Sequence, residues 1–487
     1  MSAAREPLRR VIVAGDGQVG LIAAIGIRRS LPNCEVVIAG LPSSPDALAD
    51  RAATALPFTN RLHERLGIAE EVIIRRAGGS HRLVTRLFGW DGQGGQHAVP
   101  YGGTDLAVSA FARAWGENSG RGGNALPGSS LADLLAQSGR FAAPPADRAT
   151  PISQVEYALR WHPAAYRDIL TARARQLGVA HVAGAVATLD IAEGSELRAI
   201  IMENGQRIEA DFYVDCSGTG ARLLSGLTGF AVEDWSSNLP PLAVHRAPAG
   251  EPMVALEDRI SLLEEGWLAE FAGRDGLHLE FATPLDLPLE RVRAIMADEI
   301  ESRVEIRPRC VCRAWIGNVV AIGDAAALLH PLLGLPLDLA HRQVDLLLEM
   351  LPGRVIEPAE REEYNRRAAL VAEGARDCLG AFYAAPAAGQ ALGATTPSDR
   401  LARTIDQFHR RGRVPFWEES PLARQELAAL LRALGFAGES PPVLQSQDAD
   451  TIARKLAEQA RAAMEFAPPY AQWLSALLRR TSAASRG

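Results

Sequence analysis

The stretch RVIVAGDGQVGLIAAIGIRRSL, residues 10–31, decides the fold. Arg10–Ala14 is a short run rich in valine and isoleucine and stopped by glycine, the pattern of a buried strand. Leu21–Leu31 carries a helix pattern, and CEVVIAG at 34–40 reads as the next strand. Strand, turn, helix, strand predicts a parallel sheet with a crossover helix. Between the first strand and the helix stands G-x-G-x-x-G, with glycines at Gly15, Gly17 and Gly20. Such glycines permit a tight turn and close backbone approach to a pyrophosphate at the positive end of the helix. We read all three as a dinucleotide cradle, with a purely structural glycine turn as the alternative.

One expected partner of that cradle is missing. A ribose-binding acid belongs at the end of the second strand, and here Ala39 and Gly40 stand there, with Glu35 at the wrong end. Further along, FYVDCSGTGARLL (212–224) reads as a strand ending in Asp215 followed by Ser217-Gly218. VVAIGDAAALLHPLLG (319–334) reads as a strand, then Gly323-Asp324-Ala325, then a long apolar helix. A second Gly-Asp places a carboxylate where it binds ribityl hydroxyls while a helix N-terminus faces the cofactor. Two such motifs about 300 residues apart point to FAD rather than NAD, with Gly323, Asp324 and Ala325 as the second cofactor-binding segment. A plain helix N-cap is the alternative for Asp324.

Outward from these motifs the chain divides. The 487 residues suit a large composite fold, 47% hydrophobic and 22% charged. Residues 1–110, 151–230 and 300–350 are assigned to a discontinuous FAD-binding domain, 111–150 to a loop-rich excursion, and 231–299 with 351–487 to a helical substrate-side domain. The fold class expected is α/β, of the two-glycine-motif, Rossmann-like type, with a helical substrate-binding cap and a helical C-terminus. Within 179–218, turns are expected near Glu193-Gly194 and Asn204-Gly205. A net charge of −7 argues against a nucleic-acid binder, which needs a cationic surface. Five cysteines at spacings unlike a zinc site predict reduced thiols and no metal, and Cys310-Val-Cys312 places its two thiols on opposite faces of a strand. Met1–Arg10 is polar and no apolar run of about 20 residues occurs, so no secretory signal or membrane span is expected, and a cytoplasmic setting follows.

With those motifs in view, the chain resembles the flavin-dependent tryptophan halogenases over nearly its full length. The resemblance rests on VIVAGDGQVGLIAA, RLHERLGI, DILTARARQLGV, DFYVDCSG, CRAWIGNVVAIGDAAALLHPL, EYNRRAA, ARDCLGAFY, VPFW and FAPPYAQWL. It implies FAD reduced by a separate flavin reductase, dioxygen, a small aromatic substrate and a homodimer. It also implies a reaction in which hypohalous acid travels through a tunnel to a lysine beside the substrate, aided by a glutamate.

Against that family pattern the catalytic positions depart. In HRLVTRLFGW (81–90), Arg82 takes the place of the lysine; a guanidinium stays protonated, so it is a poor nucleophile, although it hydrogen-bonds well. The W-x-W-x-I-P tunnel segment keeps only Trp267 in WLAEFA, 267–272. The glutamate is Leu333 and the halide-binding Ser-Thr pair is Gly334-Leu335. The flavin strap reads Arg51-Ala52-Ala53-Thr54-Ala55-Leu56-Pro57, keeping Thr54 and Pro57 and losing its glutamate. Four independent departures speak against halogenation through a lysine.

The substitutes on offer are Arg82 and His330. His330 is either a proton carrier beside the flavin or a hydrogen-bonded histidine at a helix kink. Asp338, about 12 Å further along a helix, reaches it only if Pro336 breaks that helix. Trp267 and Leu333 are placed on the substrate side. His81 and Trp90 are read as packing residues, with an aromatic-binding role as the alternative. The expected function is a halogenase-like flavin oxidoreductase acting on an indole-like aromatic. An FAD monooxygenase or oxidase without halide, or a non-catalytic partner of an active relative, are the alternatives.

Overall fold

β1 (Arg10–Ala14) runs through the middle of a six-stranded sheet, flanked in parallel by β2 (Glu35–Gly40) and Phe212–Asp215. The order is Trp315–Ile316, Val319–Ala321, Phe212–Asp215, β1, β2, Ala180–Ala183, with only the Trp315–Ile316 edge antiparallel. This computed structural model describes residues 6–40, 44, 46–102, 130–145, 147–192, 196–297, 299–438 and 446–484. β1 is buried on both faces, as an unbroken Val/Ile run requires. Helix α1 (Gln18–Ser30) carries the chain from β1 to β2, burying Gln18–Ile27 and setting Arg28 and Arg29 at its negative end. Sequential strands leave β1 in opposite directions, so the crevice beyond its carboxyl end is the switch point of the sheet.

The substrate side is built on a second sheet of seven strands, with helices behind it. Its order is Ser302–Ile306, Leu242–Arg246, Gly276–Pro284, Gly266–Gly273, Glu257–Leu263, Val84–Phe88, Gln96–Pro100. Residues 231–299, grouped above with a helical cap, supply four of these strands and the helix Leu289–Ile295. Residues 84–100, grouped with the cofactor half, supply two more. Helical packing comes from the C-terminal region, led by the 26-residue helix Pro358–Tyr383. No helix among the described residues is long and apolar enough to cross a membrane.

Local readings around the second glycine motif change more. Gly323–Ala325 is a single 3-10 turn, followed by the two-residue strand Ala327–Leu328. The long helix begins only at Leu335 and ends at Glu349. Pro336 sits in its first turn, where proline's missing N–H costs nothing, so it opens this helix rather than breaking one. Part of the 111–150 excursion is ordered as the helix Leu131–Gln137, capped by the Ser130 hydroxyl, which accepts the Asp133 amide at 3.1 Å. The remainder of that excursion through 129 and the turn at Glu193-Gly194 lie outside the described residues. The opposite-faces reading of Cys310 and Cys312 is corrected: residues two apart on a strand share a face, and Cys310 is buried while Cys312 is exposed because the strand Arg309–Val311 ends before Cys312.

The cradle glycine at the third motif position is fixed by space. A Cβ on Gly20 would run into the Gly15 carbonyl oxygen. Gly20→Ala is therefore expected to lower unfolding stability by about 2 kcal/mol. Gly389→Ala, on a helix with nothing within 4 Å of the added methyl, is expected to leave it unchanged or raise it by up to about 1 kcal/mol. Denaturant titration of both variants checks the contrast.

Candidate functional site

The first turn after β1 closes tightly. Gly15 has a φ of 120°, and a Cβ there would run into the Cys216 carbonyl. Its N–H donates to the Ala39 carbonyl at 3.0 Å, and Cys216 N–H donates to Ala14 at 2.8 Å, so the three strand ends are tied together. Gly17 is the N-cap of α1 and provides no side-chain acceptor. The open end of the helix is met instead by Asp50, whose Oδ1 accepts the Val19 N–H at 2.9 Å. Its carboxylate lies where a Cβ on Gly17 would be. Asp50 comes from α2 (Leu48–Arg51), a single helical turn. Gln18 fixes that turn by donating from Nε2 to the Ala49 carbonyl at 2.6 Å and the Ala52 carbonyl at 3.0 Å.

The second motif arrives in the same cleft. Gly323 has a φ of 68°, and its N–H donates to Gln343 Oε1 at 2.7 Å. Asp324 is buried; its Oδ2 accepts the Ala49 N–H at 2.9 Å, and its Oδ1 has no hydrogen-bond partner among the described residues. Burial, reinforced by the charges of Asp50 and Asp46, pushes the Asp324 carboxyl well above the usual range. The sequence-assigned Gly15, Gly17, Gly20, Gly323, Asp324 and Ala325 thus converge. The N-terminus of α1, whose Val19 amide now meets a carboxylate, and the unused buried oxygen of Asp324 are what the phosphates and the ribityl chain of a flavin dinucleotide would engage, so these residues fit that group. The ribose end differs. Gly40 is covered by the His181 ring, and Asp16 is paired with Arg167 at 2.6 Å.

Sequence reasoning missed α2 and Asp50. The signal was local: ALADRAA, residues 47–53, consists of the strong helix formers alanine, leucine and arginine apart from Asp50 itself. Beyond α2, Thr54 is buried and donates its hydroxyl to the Leu159 carbonyl at 3.2 Å, and Pro57 caps the helix Phe58–Leu66. A cavity of about 410 Å³ opens there, walled by Leu48, Arg51, Thr54, Phe271, Pro331 and Gly334. Its polar side carries His278 and the Arg246–Glu280 pair at 2.8 Å.

The proposed catalytic substitutes are not in that cavity. Arg82 is 1% exposed, ion-paired with Asp258, and donates from Nη2 to the Ala55 carbonyl at 2.9 Å. Its guanidinium lies 5.7 Å from the Tyr101 ring centroid. Arg160, also 1% exposed, pairs with Asp275 at 3.3 Å nearby. His330 is fully buried with Nδ1 2.9 Å from the Tyr383 hydroxyl, and burial holds its pKa at about 3, so it is neutral at working pH. Asp338 is buried with a different partner, Arg342, at 2.6 Å, which replaces the expected His330–Asp338 partnership. Leu333, at φ 58°, and Trp267 share one apolar core cluster. His81 packs against Phe141 and Trp473, and Trp90 against Phe382. The sequence contains a single lysine, Lys455, exposed on the helix Ser446–Phe466.

Two consequences are measurable. Arg82→Ala leaves Asp258 buried without its cation and is expected to cost about 3–5 kcal/mol of stability, most of it recovered in Arg82→Met/Asp258→Leu. For His330, the folded pKa of about 3 lies below the unfolded value, so its contribution is present above about pH 6.5 and is lost as pH falls towards 3. His330→Gln is expected to flatten the stability-against-pH curve between pH 6 and 4 by about 1.4 kcal/mol per unit. Chemical unfolding at stepped pH measures it.

With this geometry in place, comparison with known proteins is informative. The tryptophan halogenase family model matches residues 10–268 and 288–448. Tryptophan 7-halogenase KtzQ of Kutzneria sp. (strain 744) is 24% identical over 409 residues, 77% of this chain and 76% of that protein. Tryptophan 7-halogenase RebH of Lentzea aerocolonigenes is 23% identical over 413 residues, again 77% and 76%. Among solved structures, BrvH, a flavin-dependent halogenase from Brevundimonas sp. BAL3, superposes with a TM-score of 0.84 at 21% identity, covering 96% of this chain and 99% of that one. Xcc4156, a flavin-dependent halogenase from Xanthomonas campestris, gives 0.85 at 20% identity, covering 97% and 99%. These structures share the fold, and the family match extends from β1 into the C-terminal helices: the chain belongs to the tryptophan halogenase family.

Proposed function

We propose that this chain is a flavin-dependent oxidoreductase that oxidises a small, indole-like aromatic without a lysine relay, using FAD reduced by a separate reductase and dioxygen. The observation that carries the reading is the absence of any lysine except the exposed Lys455, together with the caging of Arg82 by Asp258. A relay needs an uncharged amine facing the substrate, and a buried guanidinium bonded to a carboxylate and a carbonyl provides none.

In this reading Gly15, Gly17 and Gly20 bring the amide end of α1 to the phosphates of FAD. Gly323, Asp324 and Ala325 hold its ribityl chain, with Asp324 Oδ1 as the acceptor. Thr54 and Pro57 shape the strap beside the 410 Å³ cavity. The bound flavin supplies the activation of dioxygen. Leu333 brings no carboxylate to the family's glutamate position, and burial holds His330 in its neutral form, away from the imidazolium a proton carrier passes through. Proton handling falls to His278, which faces the cavity and sits 3.0 Å from Asp275. Burial pushes the Asp275 carboxyl up, and its contacts with His278 and Arg160 more than offset this, holding it at about 2, so an anion stands beside His278. Trp267 and Leu333 serve as an apolar backing. The reading includes a homodimer, carried by the family resemblance, and a cytoplasmic setting, supported by the reduced-thiol reading of the five cysteines.

The test supplies FAD, a reductase, NADH and a panel of indoles, with and without bromide, and identifies products by mass. Oxygen consumption and oxygenated product that do not depend on bromide are expected. A monobrominated arene formed only with bromide would refute the reading.

A further inference from the structure

Asp50 places a negative charge in the cleft whose other features call for a bound anion. Its carboxylate accepts the Val19 amide at 2.9 Å and covers Gly17, so it stands at the N-terminus of α1. The same turn inserts its backbone between the two glycine motifs. Ala49 N–H bonds to Asp324, and the Ala49 and Ala52 carbonyls bond to Gln18. Ala47, Leu48 and Ala49 are buried there, and the Ala47 methyl lies 3.5 Å from the position of a Cβ on Gly218. Just before them, Asp46 accepts from the Thr219 hydroxyl at 2.5 Å. Three carboxylates, Asp46, Asp50 and Asp324, therefore share the cleft. Asp324, 6% exposed, still keeps Oδ1 buried and without a hydrogen-bond partner among the described residues, while its Oδ2 accepts from α2.

A carboxylate and a diphosphate compete for the same amides and repel each other. We propose that Asp50 is an internal occupant of the phosphate cradle, and that a dinucleotide enters only by exchange with it as α2 withdraws. The inference rests on the flavin reading above and concerns how that cofactor gains access. The exchange is balanced by design. The Val19 amide passes from one anion to another, and Asp324 gives up the Ala49 amide for hydroxyl donors. Flavin affinity is then set by the difference between two occupants of one site, and the missing ribose acid at Gly40 leaves that difference small.

Binding of oxidised FAD to the full chain, followed by quenching of flavin fluorescence, tests this directly, with ADP as a second probe that carries the pyrophosphate without the ring. Asp50→Ala is expected to tighten both ligands at least tenfold, and Asp50→Asn, which keeps an acceptor but not the charge, to tighten them less. Hydrogen exchange on the wild-type chain is the companion measurement and needs no variant: FAD is expected to speed exchange across residues 46–52. FAD that binds the wild type with unchanged or weaker affinity for Asp50→Ala, or that leaves 46–52 protected, overturns the exchange while leaving the cofactor reading standing. No binding to either protein at millimolar FAD overturns both.

Discussion

The first amides of α1 point into a cleft with no side-chain cap of their own, and they must meet an acceptor there. That requirement organises the structure around it. Gly15 and Gly20 allow α1 to begin against the strand ends, which brings its positive end to the switch point of the sheet. Asp324 reaches the same point from a segment some three hundred residues later, through a turn held by Gln343. Asp50 satisfies the amides from within the chain. A bound phosphate would satisfy them from outside. Both solutions use the same N–H groups, so the family's anion site and this chain's own carboxylate are alternatives in the strict sense.

The resemblance sets Arg82 at the family's lysine position, and there the structure has packing. Arg82 and Asp258 form a fully buried ion pair, and the buried Arg160 pairs with the half-buried Asp275. Burying charge is costly unless it finds a partner, and here it does. Leu333 extends the same trend, joining Trp267 in an apolar cluster although its φ of 58° is one that leucine adopts reluctantly. A glutamate in that turn would bring a charge into the cluster.

How much of this the sequence disclosed follows from how local each feature is. β1, the glycine turn, α1 and β2 are consecutive, and their order was readable from residues 10–40. The meeting of Gly15 with Asp324 was readable because two motifs of one type rarely occur without a shared ligand. The seven-stranded sheet was not, since Val84–Phe88 pairs in parallel with Glu257–Leu263 across some 170 residues and nothing in either strand names its partner. Pro336 was read as a helix breaker because its effect depends on position within a turn, and the preceding 3-10 and strand pieces were invisible in a continuous apolar run. Asp50 was overlooked for a related reason. An acid on a strap carries no motif, and its meaning comes only from the helix end it reaches.

α2 has two faces with different business. Asp50 stands on the phosphate cradle, whereas Leu48 and Arg51 wall the 410 Å³ cavity. α2 is a single turn, so the withdrawal of Asp50 proposed above carries Leu48 and Arg51 with it and reshapes the cavity wall. On that proposal, cofactor phosphates and the space beside Phe271 and His278 are coupled through α2. On that proposal the coupling needs no lysine, and Asp50 on α2 carries the charge that sets whether the cleft is open.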